Sequence, residues 1–479
     1  MACQIDLKLA EMPFVSCKDR EDYENLRIVS SIFVPLRSEK ETGKVFDMMK
    51  KVNIISLGCS KNLVDTEMLL KQFDKAGYLT EMDAENSDAD IVIVNTCGFI
   101  GDAKEESVNT ILEQVERKKD GFIKQVYVIG CLSQRYSAEL KEEIPEVDGF
   151  FGKFDWKGVL EKAGQHFDEE SRNQRILTTP SHYAYLKISE GCNRNCSYCA
   201  IPIMTGKHKS REFDELLEEC RELVKNGVKE ILVVAQDLTY YGIDLYGKNR
   251  LGELINRMAD IEGLKWIRLH YAYPAGFPLD LLTVMRERSN VCKYLDIALQ
   301  HCSDHMLKQM RRGISKQQTI ELIRKIRNEV PGIFIRTTLM TGHPGETVED
   351  FEELCDFVRQ MKFERLGVFP YSHEEDTYCD QHYQDDVPEK VKKERAEKIM
   401  DIQAGISEKL NRSLIGKRMQ VLIDRQEDGY YVGRTEHDSP EVDPEVLINS
   451  AIALKIGTFY QVEITGADDY DLFARITKE

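Results

Sequence analysis

The sequence predicts an α/β protein of three domains: a parallel α/β sheet, a partial (β/α) barrel and a small C-terminal β-barrel or sandwich. Three observations carry this. Apolar runs alternate with helix-patterned polar stretches from residue 50 to about residue 400, the arrangement that builds parallel sheets with crossover helices. Beyond residue 413 the apolar runs shorten and are broken by Gly and Asp, as in small all-β modules. The length of 479 residues is also enough for about three domains of ordinary size.

The first convincing strand is Lys50-Lys-Val-Asn-Ile-Ile-Ser56, directly after Met48-Met49. Residues 1–48 show no periodicity, and Cys3 and Cys17 sit there without a partner motif. They read as an N-terminal extension of unknown role, or as a misplaced start. From residue 50 one pattern occurs three times. An apolar run (52–59, 91–97, 126–131) ends in a cysteine, and a helix-like stretch (63–73, 103–117, 135–143) follows. Parallel strands place all their C-terminal ends on one edge, where ligands gather. Cys59, Cys97 and Cys131 are therefore expected to converge. A lone cysteine at a strand end is more often a small buried side chain than a ligand. Three in the same structural place are read as joint ligands of an iron–sulfur cluster. This domain is set at 50–165, with 156–167 and the polar stretch 168–181 as its link onward.

Six further apolar runs follow, at 183–189, 230–235, 266–270, 295–299, 334–340 and 366–370. Helical patterns such as 214–225, 318–330 and 348–361 separate them. Six strand–helix units predict a partial (β/α) barrel over 182–400, whose site forms at the C-terminal ends of its strands. The first run leads into Cys192-Asn-Arg-Asn-Cys196-Ser-Tyr-Cys199. Three thiolates hold three corners of a 4Fe–4S cluster and leave the fourth iron without a protein ligand. That open iron can take the amino and carboxylate groups of S-adenosylmethionine and pass an electron to its sulfonium. A zinc site usually closes with four ligands, and no Cys or His directly follows.

Other residues at the same strand ends become candidates for cofactor contact. Gln236 and Asp237 close the second run, and His301 closes the fourth. Thr341-Gly-His-Pro-Gly-Glu346 closes the fifth: Gly342 would let backbone approach a cofactor, and Glu346 offers a carboxylate. The plainer alternative is a tight strand-to-helix turn. His301 and His305 have helical metal spacing, but Ser303-Asp304 between them reads as a helix N-cap. Lys207-His-Lys-Ser-Arg211 is a basic run just past the cysteine loop, so Arg211 is a candidate contact for the S-adenosylmethionine carboxylate or another anion. Cys220, Cys292, Cys302, Cys355 and Cys379 share no spacing and read as core packing.

The charged stretch 388–413 reads as a connector, and 419–423, 430–434, 446–448, 459–464 and 472–476 as short strands of the terminal domain. That domain carries more Asp and Glu than Lys and Arg, and the whole chain has a net charge of −18. Such a balance argues against a broad grip on nucleic acid and suits a basic partner. Thirteen cysteines, an odd number without an export signal, do not read as a disulfide scaffold. No apolar run is long enough to span a bilayer. The expected location is the cytoplasm, without membrane contact. There is no G-x-x-x-x-G-K-[ST] loop for a nucleoside triphosphate.

The sequence is similar to the methylthiotransferases of the radical-SAM superfamily along nearly all of 50–479. Three stretches carry the resemblance: Ser56-Leu-Gly-Cys-Ser-Lys-Asn-Leu-Val-Asp-Thr-Glu67, Ile188-Ser-Glu-Gly-Cys-Asn-Arg-Asn-Cys-Ser-Tyr-Cys-Ala-Ile-Pro202 and Leu299-Gln-His-Cys-Ser-Asp304. It looks most like the branch that modifies an aspartate of ribosomal small-subunit protein S-twelve. The resemblance implies a flavodoxin-like first domain, a radical-SAM partial barrel at 182–400 and an antiparallel TRAM β-barrel at 413–479. It implies two 4Fe–4S clusters: one on Cys192, Cys196 and Cys199 that works with S-adenosylmethionine, and an auxiliary one on Cys59, Cys97 and Cys131 that handles sulfur. A radical formed at the first would remove hydrogen from the aspartate β-carbon, which then collects a methylthio group. An electron donor such as flavodoxin or ferredoxin and a sulfur donor are implied as partners.

The alternative keeps this chemistry but acts on a modified adenosine of the tRNA anticodon loop. A third reading is an RNA- or ribosome-binding protein with a purely structural cluster. Loss of a methylthio group from ribosomal protein or from tRNA separates the first two, and S-adenosylmethionine cleavage separates both from the third.

Overall fold

The computed structural model describes residues 49–477, so the extension expected at 1–48 lies outside the described residues. Five strands form the first sheet: β1 (Lys51–Ser56), β2 (Leu79–Met82), β3 (Ile91–Thr96), β4 (Gln125–Gly130) and β5 (Gly149–Phe150). Their order is β2-β1-β3-β4-β5, and every neighbouring pair is parallel. All six residues of β3 are buried, because helices cover both faces and an Ile-Val-Ile-Val run suits that position. The three predicted runs are β1, β3 and β4. The edge strands β2 and β5 carry no apolar run, since their residues are only half-buried. The helix expected at 135–143 is divided at Tyr136 into Cys131–Arg135 and Ser137–Glu143. Strand order reverses between β1 and β3, the flavodoxin-like switch point where a crevice opens beyond the strand ends.

The second sheet holds the six predicted barrel strands. They are β6 (Tyr183–Lys187), β9 (Glu230–Val234), β10 (Trp266–Ala272), β11 (Val291–Ile297), β12 (Phe334–Thr341) and β13 (Arg365–Pro370), in the order β13-β12-β11-β10-β9-β6. All are parallel and the sheet stays open, which makes it a partial barrel. Between β6 and β9 lie the short β7 (Ser189–Glu190) and β8 (Lys209–Ser210), paired antiparallel. The largest core packs Ile231, Leu269, Leu295 and Leu339 against Leu216, Leu254, Ile323 and Leu354 of the covering helices. Truncating one such leucine to Ala costs about 2–5 kcal/mol.

The helix Glu389–Arg412 leads to a closed five-stranded barrel: β14 (Arg418–Glu427), β15 (Tyr430–Arg434), β16 (Val446–Ile448), β17 (Phe459–Ala467) and β18 (Leu472–Ile476). Four neighbouring pairs are antiparallel. The fifth, β16 with β18, is parallel, because β17 crosses over and the chain returns beside β16 in the same direction. The barrel is fastened to the second sheet through Glu230, which accepts from Arg268 and Arg434, each at 2.8 Å, with all three side chains buried. Burial opposes charge on Glu230, but Arg434 and Arg268 win and hold its carboxyl below the usual range. This fastening sits at the strand starts, the opposite end from the cysteines. Among the described residues no helix is long and apolar enough to cross a membrane.

Candidate active site

The chain leaves β1 and turns at Gly58 so that Cys59 caps the helix Ser60–Lys75. Gly58 has φ +89°, and a Cβ there would stand 2.8 Å from Cys97 Cβ and 2.9 Å from its Sγ. Only glycine leaves Cys97 where it is. Cys97 follows β3, and its N–H donates to Ser107 Oγ at 3.0 Å. Cys131 follows β4 and opens the next helix. Burial pushes the Cys97 thiol up to about 11 and that of Cys131 up to about 12. Charge on Cys59 or Cys97 would push Cys131 the same way, which puts the three within electrostatic reach of one another. Cys59 keeps solvent access. Desolvation works against its charge, yet the ammonium groups of Lys61 and Lys153 and the N–H groups of Asn62 and Lys61 hold its thiol below the ordinary value.

The second cysteine loop is pinched at its base by the β7–β8 pair. Gly191, with φ +78°, runs so close to Lys207 that a Cβ would stand 2.2 Å from its carbonyl oxygen. Cys192 Sγ accepts from the Arg194 N–H at 3.4 Å. Cys196 Sγ accepts from Arg312 Nη1 at 3.3 Å and lies 3.8 Å from Tyr273 Oη. The Tyr273 ring is held between the guanidinium groups of Arg194 and Arg312, at 4.0 and 4.1 Å from its centroid. Ser197 Oγ meets His343 Nε2 at 3.1 Å. Burial pushes the Cys192 thiol up to about 11 and that of Cys199 well above its ordinary value.

The two cysteine groups adjoin. Cys131 packs against Ala200, Met204 and Ile201, the residues that follow Cys199. Beside them lies a largely buried quartet of charges, Asp65 and Lys153 from the first domain and Lys187 and Glu190 from the second. Lys153 Nζ is 3.5 Å from Asp65, 3.6 Å from Glu190 and 3.8 Å from Cys131 Sγ. Lys187 Nζ pairs with Asp65, and with Glu190 at 2.7 Å. Burial opposes charge on Glu190, but Lys187 and Lys153 bring its carboxyl down to about 2.

The remaining predicted residues have other occupations. Gln236 Nε2 donates to Glu190, while its Oε1 is buried without a donor among the described residues, an acceptor for an ammonium or N–H. Asp237 pairs with Arg194 at 2.7 Å and caps the turn at Thr239, so it positions the cysteine loop. His301 Nε2 lies 3.2 Å from Glu346 Oε1. Glu346 also accepts from the Gly342 N–H at 2.7 Å and pairs with Arg395, which makes the 341–346 segment a closed internal turn. Arg211 donates to the Lys187 carbonyl, Glu215 and Glu219. His301 and His305 answer to different carboxylates, Glu346 and Asp350, and Ser303 is the helix N-cap.

Arg312, Tyr273, Lys153 and Lys61 were not singled out in the sequence. Arg312, Tyr273 and Lys153 belong to no motif, whereas Lys61 and Arg194 lie inside the quoted stretches. Lys61 is only 8 % exposed, and its Nζ stands 3.4 Å from the Tyr271 ring centroid. Tyr271 takes the left-handed conformation (φ +65°), which costs a bulky residue about 1–3 kcal/mol, and its N–H donates to Asp296 Oδ2 at 3.2 Å.

The donor sets fit iron–sulfur clusters. Each group brings three thiols, and Arg312, the Arg194 N–H and Lys153 supply donors and positive charge to the sulfurs. Among the described residues no three Cys, His, Asp or Glu side chains close around a single ion.

Family models match three parts of the chain: residues 51–152 (Uncharacterized protein family UPF0004), 186–358 (Radical SAM superfamily) and 415–477 (TRAM domain). A protein of Porphyromonas gingivalis, "Ribosomal protein uS12 methylthiotransferase RimO", is 63 % identical over 428 residues, 89 % of this chain and 99 % of that one. Proteins of the same name from Bacteroides thetaiotaomicron and Cytophaga hutchinsonii are 61 % and 52 % identical, each over 89 % of this chain and 98 % of their own. Among solved structures, the radical S-adenosylmethionine methyltransferase TsrM of Kitasatospora setae, with cobalamin and a 4Fe–4S cluster bound, shares the fold. It matches at a TM-score of 0.50 and 13 % identity, over 80 % of this chain and 81 % of that one.

Proposed function

Because the chain belongs to the family of ribosomal protein uS12 methylthiotransferases, we propose how its residues divide the work of that reaction. The protein is a radical S-adenosylmethionine methylthiotransferase that adds a methylthio group to the β-carbon of an aspartate in small-subunit protein uS12. When bound, two 4Fe–4S clusters and S-adenosylmethionine supply the one-electron chemistry that opens an unactivated C–H bond and the sulfur that replaces the hydrogen.

Cys192, Cys196 and Cys199 hold the cluster that works with S-adenosylmethionine, and Cys59, Cys97 and Cys131 hold the sulfur-handling one. Arg312 and Tyr273 orient Cys196, and Arg194, fixed by Asp237, orients the loop around Cys192. Gln236 presents its Oε1 to the amino group of S-adenosylmethionine. Glu346, His301 and Gly342 shape the turn that carries His343 to Ser197, and Arg211 braces the base of the cysteine loop. The observation that carries this division is the packing of Cys131 against Ala200, which brings the groups side by side. Both act in one chamber, and the buried quartet Lys153, Lys187, Asp65 and Glu190 keeps its walls together. The acidic terminal barrel suits a basic ribosomal protein and resists a polyanionic tRNA. The enzyme works in the cytoplasm, drawing electrons from a flavodoxin- or ferredoxin-like donor and sulfur from a separate donor.

Mass spectrometry of small-subunit proteins and tRNA from cells lacking the gene tests the function. The methylthio group should vanish from uS12 while tRNA stays modified; the reverse overturns the reading. After anaerobic reconstitution the chain should hold about eight irons, and a Cys59/Cys97/Cys131→Ala variant about four. A wild type with four would remove the second cluster.

A further inference from the structure

The acceptor side chain in uS12 carries a carboxylate, and an enclosed site that admits it must offer compensating charge. Most cations near the cysteines already have partners. Lys153 and Lys187 share Asp65 and Glu190. Arg194 is paired with Asp237, and Arg211 with Glu215 and Glu219. Arg312 is spent on Cys196 Sγ, Tyr198 Oη and the Ala298 carbonyl.

Lys61 is different. Its side chain is buried, yet among the described residues no carboxylate lies within ion-pair distance of it: its ammonium rests on the face of Tyr271 at 3.4 Å, and the Cys59 thiol is the acidic group that it acts on. A ring face is a weak partner for a cation withdrawn from water, compared with a carboxylate. The position is equally distinctive. Lys61 follows Cys59 by two residues, in the first turn of a helix that holds no acidic residue there. Tyr271 sits at the C-terminal end of β10, two residues before Tyr273, whose hydroxyl is 3.8 Å from Cys196 Sγ. The ammonium therefore lies beside Cys59 and, through Tyr271, against the strand end that carries Tyr273 to Cys196. Tyr271, in its left-handed conformation, donates its N–H to Asp296 and has its ring against Lys61.

We propose that Lys61 receives the carboxylate of the acceptor aspartate, with Tyr271 holding the ammonium in place until substrate arrives. This rests on the uS12 reading above, and it makes Lys61 the residue that selects an acidic side chain over a neutral one.

The test measures binding of purified uS12, with its acceptor aspartate intact or changed to asparagine, to the reconstituted holoenzyme without reductant, so that no turnover occurs. Wild-type enzyme should bind the asparagine form roughly tenfold to hundredfold more weakly. Lys61→Met should bind the aspartate form that much more weakly and no longer distinguish the two, while Lys61→Arg keeps part of the discrimination. Iron content should stay at about eight in Lys61→Met. Undiminished discrimination in Lys61→Met overturns the proposal, as does a fall in its iron, which would make the ammonium a counter-charge for the metal site. If wild-type enzyme neither binds nor modifies uS12, the reading beneath the proposal falls with it. If it modifies uS12 and Lys61→Met still discriminates, the proposal alone falls.

Discussion

Arg194 Nε donates to Asp237 Oδ2 at 2.7 Å, and this pair ties the cysteine loop to the end of the neighbouring strand β9. The same guanidinium covers the Tyr273 ring, whose hydroxyl faces Cys196. Asp237→Ala leaves Arg194 without its carboxylate and should cost about 1–3 kcal/mol of stability. The specific consequence is at the metal: iron should fall from about eight towards about four after reconstitution, with the loss at the Cys192 group. Asp237→Asn, which keeps an acceptor for Thr239, should retain more iron. Equal iron in wild type and both variants would reduce the pair to a structural brace without effect on the metal.

Gly58→Ala offers a test confined to the other group. The added methyl meets Cys97 Cβ at 2.8 Å and Sγ at 2.9 Å, in a backbone conformation that alanine resists. Far-UV circular dichroism should match the wild type, while reconstituted iron drops by about four. Full iron loading would show that Cys97 can shift without losing its ligand role.

Lys153→Met removes one of two cations from a buried set of four charges, leaving Asp65 and Glu190 to share Lys187. Breaking a buried pair from one side costs about 3–5 kcal/mol, because the remaining charge is left uncompensated. Urea unfolding of the metal-free protein should show that loss. A change below about 1 kcal/mol would mean that water already reaches the quartet.

Acid should act through His343. Burial holds its imidazole down to about 4 in the folded protein, against about 6.5 in an unfolded chain. The unfolded state therefore takes up a proton below about pH 6.5 that the folded state refuses until about pH 4. The stabilising contribution is present above pH 6.5 and is lost as pH falls towards 4, on the order of 3 kcal/mol in all. His343→Gln removes this contribution. Between pH 6.5 and 4.5 the variant should lose about 2 kcal/mol less unfolding free energy than wild type. Equal slopes would assign the acid sensitivity to other groups.

Much of the architecture was legible in the chain. β3, β6 and β9 show as unbroken apolar runs because both sheet faces are covered and burial acts on every residue, while β12 is buried at every second residue and still reads as a strand. The three strand-end cysteines could be expected to meet, since parallel strands share one C-terminal edge. Harder to read were β2 and β5, half-buried edge strands on which burial imposes no pattern. The parallel pairing of β16 with β18 was hidden too, because neighbour choice is a matter of the path between strands.

The amino-acid order by itself determined which residues form strands, where each cysteine falls on them, and that two groups of three thiols exist. Those properties follow from hydrophobic period and spacing, which act over a few residues. Tertiary structure alone decided that Cys131 lies against Ala200, that Arg312 reaches Cys196, and that Lys61 is a buried cation resting on an aromatic ring with no carboxylate beside it among the described residues. Each of those depends on groups far apart in the chain being pressed together by the packing of two sheets. The energy of a charge there is set by the neighbours it meets, and no local pattern announces them.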